Sequence, residues 1–306
     1  MTTHQPTHAP TFPGERAFDI RLEDGATASV RVYGRGPRII ASHGNGLAID
    51  AFQGFWGAFI PDFETVVFDF RHHGRSSPYQ GVAHPWPQLV RDFDMILAGI
   101  AGELGPAPSL GAFHSMSALT ALLHASDHAT PWTGIVAFEP PATPPADHPG
   151  YAAFKAVNGT LAERAAKRRT EFPTVEDLVE SFRRSPAFAG VDQDAVQALA
   201  ASSLRWNADR RLFELACARE FEAGIFAMQD LDGAWEKICG VTLPVQIVTG
   251  LPPTGGSSGF NIIERALADD GGFGFATIHD ATHFMQMEKP AECAALVARF
   301  HASLIP

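Results

Sequence analysis

The chain is poor in the residues that build covalent or metal frameworks. Its 306 residues include only 3 cysteines, Cys217, Cys239 and Cys293, far apart and without C-x-x-C spacing. That argues against a disulfide scaffold or a Cys₄ zinc site and points weakly to a reducing compartment. Positive charge is scarce as well: Lys and Arg number 23 against 34 Asp and Glu, a formal net charge of −11. Nucleic acid and anionic lipid both require a basic face, so neither is an expected partner. No uninterrupted run of about 18 apolar residues occurs, so no membrane-spanning helix is expected. The first fourteen residues, MTTHQPTHAPTFPG, lack a basic n-region and an apolar h-region. They read as a flexible tail rather than a signal peptide, and the expected setting is cytoplasmic. With 45% hydrophobic and 19% charged residues, the chain has the composition of a globular protein with a large core.

Short apolar runs alternate with amphipathic stretches along the first half. Residues 18–22, 28–33 and 38–42 read as strands, the last ending at His43-Gly-Asn-Gly. Residues 48–60 place Ala51, Phe52, Phe55, Trp56 and Phe59 at helical spacing. A strand at 64–70 runs into Arg71-His-His-Gly-Arg-Ser-Ser-Pro, a helix covers 86–104, a strand at 108–114 meets Ser115, and a helix follows over 116–125. A further strand, 134–138, ends at Glu139-Pro-Pro. This alternation predicts an α/β fold with a mainly parallel sheet flanked by helices. Reactive groups in such sheets sit beyond the carboxyl ends of the strands, and His43, Arg71, Ser115 and Glu139 all fall there. Residues 142–240 show no strand pattern and read as helices at 151–170, 175–184, 193–202 and 211–221. A strand returns at 244–250, followed by a helix at 261–268, a strand at 274–278 and a last helix from 290 to 304. The expected organisation is a tail (1–15), a core (16–141 and 241–306) and an inserted helical cap (142–240).

Ser115 stands where a strand turns into a helix. A hydroxyl needs a base within reach to act as a nucleophile, and the helix amino end offers N–H groups to developing negative charge. Taken alone, such a serine is also a common helix N-cap. Its company decides the reading. His43-Gly-Asn-Gly, Asp69-Phe-Arg-His-His-Gly-Arg-Ser, His114-Ser115-Met116 and Ala281-Thr-His283-Phe follow one another in order. In that order the chain resembles the α/β-hydrolase superfamily, in its serine hydrolase branch with a helical cap between the sixth and seventh core strands. The resemblance spans nearly the whole chain beyond about residue 16 and implies a nucleophile, an acid and a histidine in that sequence order. Ser115, Glu139 and His283 satisfy it.

The resemblance implies further roles. The oxyanion hole is expected from the backbone N–H groups of Met116 and Asn45, with the Asn45 side chain either reaching the pocket or serving the turn. The expected substrate contacts are Asn45, His114, Trp206 and Phe284. Asp69 and Arg71 read as a buried loop pair, and His72-His73 as loop residues. His279 and His283 have metal-ligand spacing, but His279 ends a strand, so no metal or organic cofactor is expected. The basic run Arg164-Ala-Ala-Lys-Arg-Arg reads as a solvated helix face. Two departures from the family pattern stand out. Phe113 is bulky where a glycine is common, two positions before the nucleophile. No carboxylate follows the strand at 244–250 before Glu264; the glycine-rich stretch there lacks the ending of a phosphate loop. Glu139 is therefore the expected acid, a site some dehalogenases and lactonases of the superfamily use, with a purely cap-anchoring role as the alternative.

The expected activity is cleavage of a carboxylic ester or lactone through an acyl-enzyme. A carbon–carbon bond hydrolase or perhydrolase on the same triad, or a non-catalytic binding protein, are the rival readings. The 23 phenylalanines against 3 tyrosines point to a small apolar ester or lactone as substrate, and the chain is compatible with a homodimer.

Overall fold

The structure, a computed structural model, describes residues 12, 14–78, 86–227, 231, 233–253 and 260–305. Most of the expected tail and residues 254–259 of the glycine-rich stretch lie outside these. Strands β1 (Arg16–Arg21), β2 (Thr27–Tyr33) and β3 (Arg38–Ser42) lead into a helical stretch over 49–59 that contains α1 (Gln53–Trp56). Then follow β4 (Glu64–Phe68), α2 (Trp86–Leu104), β5 (Ser109–His114), α3 (Met116–Asp127) and β6 (Trp132–Phe138). The next hundred residues hold α4 (Tyr151–Ala166), β7 (Glu171–Phe172), α5 (Val175–Arg183), α6 (Gln193–Ser202), β8 (Leu204–Asn207), β9 (Leu212–Leu215), α7 (Arg219–Ala227) and α8 (Ala234–Cys239). The chain closes with β10 (Val245–Leu251), α9 (Phe260–Gly271), β11 (Gly274–His279), α10 (Met285–Glu288) and α11 (Pro290–Ser303).

Eight strands form one sheet in the order β1-β2-β4-β3-β5-β6-β10-β11. Only β2 runs antiparallel to its neighbours; the other pairs are parallel. This is the mainly parallel, helix-flanked sheet that the alternation predicts. Central strands carry apolar residues on both faces because helices cover both. Phe68, Phe93, Phe113 and Trp132 fill one side and Phe52, Phe55, Trp56 and Phe138 the other. Among the described residues no helix is long and apolar enough to cross a membrane, and the three cysteines are free.

The bulk of Phe113 has a local compensation. Gly111 lies two residues earlier on the same strand face, and a Cβ there would come within 2.5 Å of the Phe113 ring. The ring uses that space and meets Phe93 and Trp132 edge-on, each at 5.4 Å. The small residue of the turn has in effect moved two positions back along the strand.

The insertion between β6 and β10 is not all helix. β7, β9 and β8 form a three-stranded antiparallel sheet, where no strand is expected. The helix expected over 211–221 is instead β9 followed by α7. Arg211, at φ +54°, turns the chain between β8 and β9. Each strand is four residues or shorter, so the two-residue alternation never repeats enough to stand out against a helical reading. The basic run is solvated at Arg164, Lys167 and Arg169, but not throughout: α4 ends at Ala166, Arg168 pairs with the buried Glu222 of α7, and the exposed Arg169 lies 4.6 Å over the Phe172 ring.

Asp69 and Arg71 are buried, but not as a pair. Asp69 meets the fully buried Arg31 at 3.2 Å and accepts N–H bonds from Ile49 and Arg75. Arg71 forks onto Asp92 through Nε and Nη2 and reaches Asp24 from Nη1 at 2.7 Å. Each charge has found a partner on another element, which is what makes its burial tolerable. Breaking a buried pair from one side leaves an uncompensated charge, at a cost of about 3–5 kcal/mol. Asp92→Ala removes the buried one of these two partners and leaves Arg71 the half-exposed Asp24, so it is expected to lower urea stability by up to that amount with an unchanged m-value; a loss below about 1 kcal/mol contradicts this account.

Candidate active site

Strand register brings the candidate residues to one edge. His114 of β5 pairs with Phe138 of β6, Phe138 with Val248 of β10, and Leu251 of β10 with His279 of β11. β5 and β6 end level with Val248, and β10 and β11 run together three residues further, so Ser115, Glu139 and the loop after His279 emerge at one edge of the sheet. Ser115 has φ +52° and ψ −114°, and its side chain makes no capping bond to α3. A positive φ costs a non-glycine residue about 1–3 kcal/mol and collects at functional sites. The turn is held by the Ser115 N–H bond to Phe138 O at 2.8 Å, and by Ser117, whose hydroxyl donates to His114 O at 2.9 Å and accepts from His114 N–H at 3.0 Å. The N-cap reading of Ser115 therefore finds no hydrogen bond in the structure.

Facing Ser115 is the loop His43-Gly-Asn-Gly. A Cβ on Gly44 would lie 3.0 Å from Ser115 Cβ and 2.9 Å from His114 Nδ1, so only glycine allows this approach. Two buried histidines clamp the loop. His43 donates from Nδ1 to Gly44 O at 2.8 Å and accepts the Phe70 N–H on Nε2 at 3.1 Å. His73 accepts the Gly46 N–H on Nε2 at 3.0 Å and donates from Nδ1 to Arg71 O at 2.9 Å. Burial pushes both imidazoles below their ordinary range, so both act as neutral hydrogen-bonding blocks. The sequence reading placed His43 at the reactive end of a strand and His73 in a loop, neither with this role; the glycines beside each were the available signal.

Glu139 follows β6 with φ +44° and is buried. One carboxylate oxygen accepts from Gly250 N–H at 2.8 Å and from the Thr249 hydroxyl at 3.3 Å; the other accepts from His283 Nδ1 at 2.5 Å. A carboxylate acceptor at Nδ1 places the proton there and leaves Nε2 free to accept. His283 is 43% exposed and lines, with Ser115 and Glu139, a cavity of about 350 Å³. Glu264, the rival carboxyl, lies in α9 and is 2% exposed. Burial first, and the charge of Glu139 second, push it well above the usual carboxylate range. It sits behind Thr249 and has no bond to His283.

The remaining candidates divide. Asn45, Met116 and Phe284 line the cavity. Met116 is the first residue of α3, so its N–H has no acceptor within the helix. The Asn45 side chain donates to Glu222 O of α7 at 2.9 Å, tying the loop to the insertion. Phe284 stacks on Phe188 at 4.6 Å. His114 does not line the cavity. Its fully buried ring lies behind the turn, 4.6 Å from the His283 ring, and donates from Nε2 to His283 O at 2.9 Å. Trp206 is a correction: it sits on β8, 37% exposed, edge-on to Phe213 at 5.0 Å, and is absent from the cavity wall because that segment is sheet rather than pocket-lining helix. Among the described residues no group of three or more His, Cys, Asp or Glu could hold a metal. The arrangement can deliver an activated hydroxyl, a proton carrier and helix-end N–H groups to one carbonyl.

A family model described as serine aminopeptidase, S33 (Hydrolase_4) matches residues 37–216, more than half of the chain. A search of curated proteins finds no match. Among solved structures, E-2-(acetamidomethylene)succinate hydrolase is similar over 94% of this chain and 99% of its own, with TM-score 0.78 and 18% identity. A thioesterase domain from the curacin biosynthetic pathway covers 93% and 99%, with TM-score 0.73 and 17% identity. A thermophilic esterase from Thermogutta terrifontis covers 95% and 100%, with TM-score 0.65 and 17% identity. At these identities the likeness is one of fold.

The raised Glu264 carboxyl has a consequence for stability. Below the unfolded glutamate's pKa of about 4.3 its contribution is fully present, and it is lost as pH rises through the higher folded value, because the folded state then binds more protons than the unfolded one. Glu264→Gln carries no such proton. Its urea stability relative to the native chain is expected to improve between about pH 5 and pH 8; a difference that stays constant over that range contradicts the assignment.

Proposed function

Because the chain belongs to the α/β-hydrolase family described as serine aminopeptidase, S33, we propose that Ser115, His283 and Glu139 form the catalytic triad of a serine hydrolase acting on carboxylic esters or lactones. The observation that carries this reading is the 2.5 Å bond from His283 Nδ1 to Glu139, beside an uncapped, strained Ser115 on the same cavity. Ser115 Oγ attacks the carbonyl carbon as its proton passes to His283 Nε2. The carbonyl oxygen becomes an anion held by the N–H groups of Met116 and Asn45. Collapse of the intermediate expels the alkoxide, which takes the proton from His283. Water, deprotonated by the same imidazole, then attacks the acyl-enzyme and returns Ser115. Glu139 stays ionised and holds the tautomer.

The cavity favours an ester or lactone over a free peptide amino terminus. Among its described lining residues Glu139 is the one carboxylate, and it is committed to His283; no lysine or arginine lines it. A charged substrate group would be desolvated there without a partner. The segment between β6 and β10 closes this cavity from above as a cap, with Asn158, Leu161 and Ile225 in its roof.

Two outcomes test the proposal. A fluorophosphonate probe is expected to label the native chain and to leave Ser115→Ala unlabelled, with turnover of a simple ester lowered about a thousandfold or more while circular dichroism is unchanged; full labelling of the variant sinks the nucleophile. Among straight-chain acyl esters, kcat/KM is expected to rise about fourfold per added methylene until the cavity is full, following about 0.8 kcal/mol per buried CH₂. Preference for a dicarboxylate or a sugar ester contradicts the apolar cavity.

A further inference from the structure

The cavity is apolar, yet three of its lining residues carry buried polar atoms with no hydrogen-bond partner among the described residues: Asn45 Oδ1, Asn158 Nδ2 and Trp86 Nε1. Buried polar atoms are almost always paired, so an unpaired set around one cavity marks either strain or a missing ligand group. The Asn45 orientation is fixed by chemistry. Its neighbour Glu222 O can only accept, so the Asn45 nitrogen faces it at 2.9 Å and the oxygen is left over. Asn158 is 4% exposed, on the inner face of α4, and Trp86, 1% exposed, is the first residue of α2. The indole N–H is a donor only. The residues around the cavity therefore hold one unpaired acceptor and at least one unpaired donor, all neutral, each atom itself buried just behind the largely apolar surface, so that a small side-chain turn accompanies its contact with a ligand.

We propose that the natural substrate carries, near its reacting carbonyl, a neutral group that both donates and accepts a hydrogen bond, a hydroxyl or a secondary amide, which Asn45 and Asn158 read from opposite sides of the chain, the core loop and the cap. A purely alkyl substrate fills the cavity but strands these atoms away from water. A site built to bond a hydroxyl rejects the analogue that lacks it far more strongly than an apolar pocket rejects a missing methylene. Proximity to the carbonyl follows from Asn45, whose backbone N–H the proposed mechanism uses for the oxyanion. The inference rests on that mechanism only for where the carbonyl sits.

The test measures binding to Ser115→Ala, which is not expected to turn over ester, by calorimetry. Two matched pairs place the hydroxyl on either side of the ester: methyl hexanoate against methyl 3-hydroxyhexanoate, and butyl acetate against 3-hydroxybutyl acetate. One hydroxylated partner is expected to bind about tenfold tighter or more than its match. Adding Asn158→Leu is expected to erase the difference. Trp86→Phe, which removes a donor and keeps a packed ring, serves as the second variant and is expected to narrow it. Equal binding within both pairs overturns the inference, as does a difference that survives Asn158→Leu in a folded protein. Should Asn158→Leu not fold, the matched pairs and Trp86→Phe still decide. Hydrolysis of esters by the native chain without any difference in binding overturns this recognition alone. A tenfold difference in a protein that hydrolyses no ester overturns the reaction and leaves the recognition standing.

Discussion

The short hydrogen bond between His283 and Glu139 is the interaction on which the rest of the site depends. It joins the last loop of the chain to the end of the sixth strand, 144 residues earlier. Nothing local to either residue creates it. It exists because β5, β6, β10 and β11 lie parallel with their carboxyl ends at one edge of the sheet, so residues remote in sequence emerge within reach of one another. The carboxylate is then oriented by β10 itself, through the Gly250 N–H and the Thr249 hydroxyl. Charge-assisted bonds of this kind are stronger and shorter than neutral ones, and here they leave the imidazole a single orientation toward the cavity.

Around that bond the protein uses neutral and paired groups to hold loops in place. His43 and His73 bind backbone atoms of the loops that face Ser115, and burial keeps them uncharged. His114 supports the His283 backbone from behind. Arg71 with Asp92, and Arg31 with Asp69, neutralise charges that would otherwise be stranded under the same loops. The buried Glu264 behind Thr249 is pushed toward its neutral form, which spares Glu139 a second negative charge in the same buried region. Among the described residues that line the cavity, the one carboxyl is thus the one bonded to His283, in a largely apolar wall.

The order of motifs along the chain made the sheet and the neighbourhood of Ser115, Glu139 and His283 legible, because periodicity and strand-end glycines are local signals. Glu139 could be singled out because the stretch after β10 offers no carboxylate before Glu264, and the structure shows why Glu264 is out of reach: it lies on a helix behind Thr249. Other features depend on contacts that no local pattern carries. Phe113 looked out of place until Gly111 and the rings of Phe93 and Trp132 supplied its space. Arg31 sits in an ordinary strand pattern, yet is fully buried between two aspartates. The β8 and β9 strands are too short to show their alternation. Trp206 was expected in the pocket as one of the aromatic residues of the insertion, and the sheet turns it outward. Asn158 gave no signal at all, since a helical asparagine reads as surface until its burial is seen.

The most direct measurement of the central claim is the second-order rate at which a fluorophosphonate labels Ser115 in the native chain, in Glu139→Gln and in Glu264→Gln, each checked for folding. If Glu139 holds His283 in the tautomer that activates Ser115, its amide replacement slows labelling by about a hundredfold or more, as loss of the orienting acid does in other triads, while Glu264→Gln stays within a few-fold of the native rate. Native-like labelling in Glu139→Gln, or a collapse of labelling in Glu264→Gln, contradicts the account.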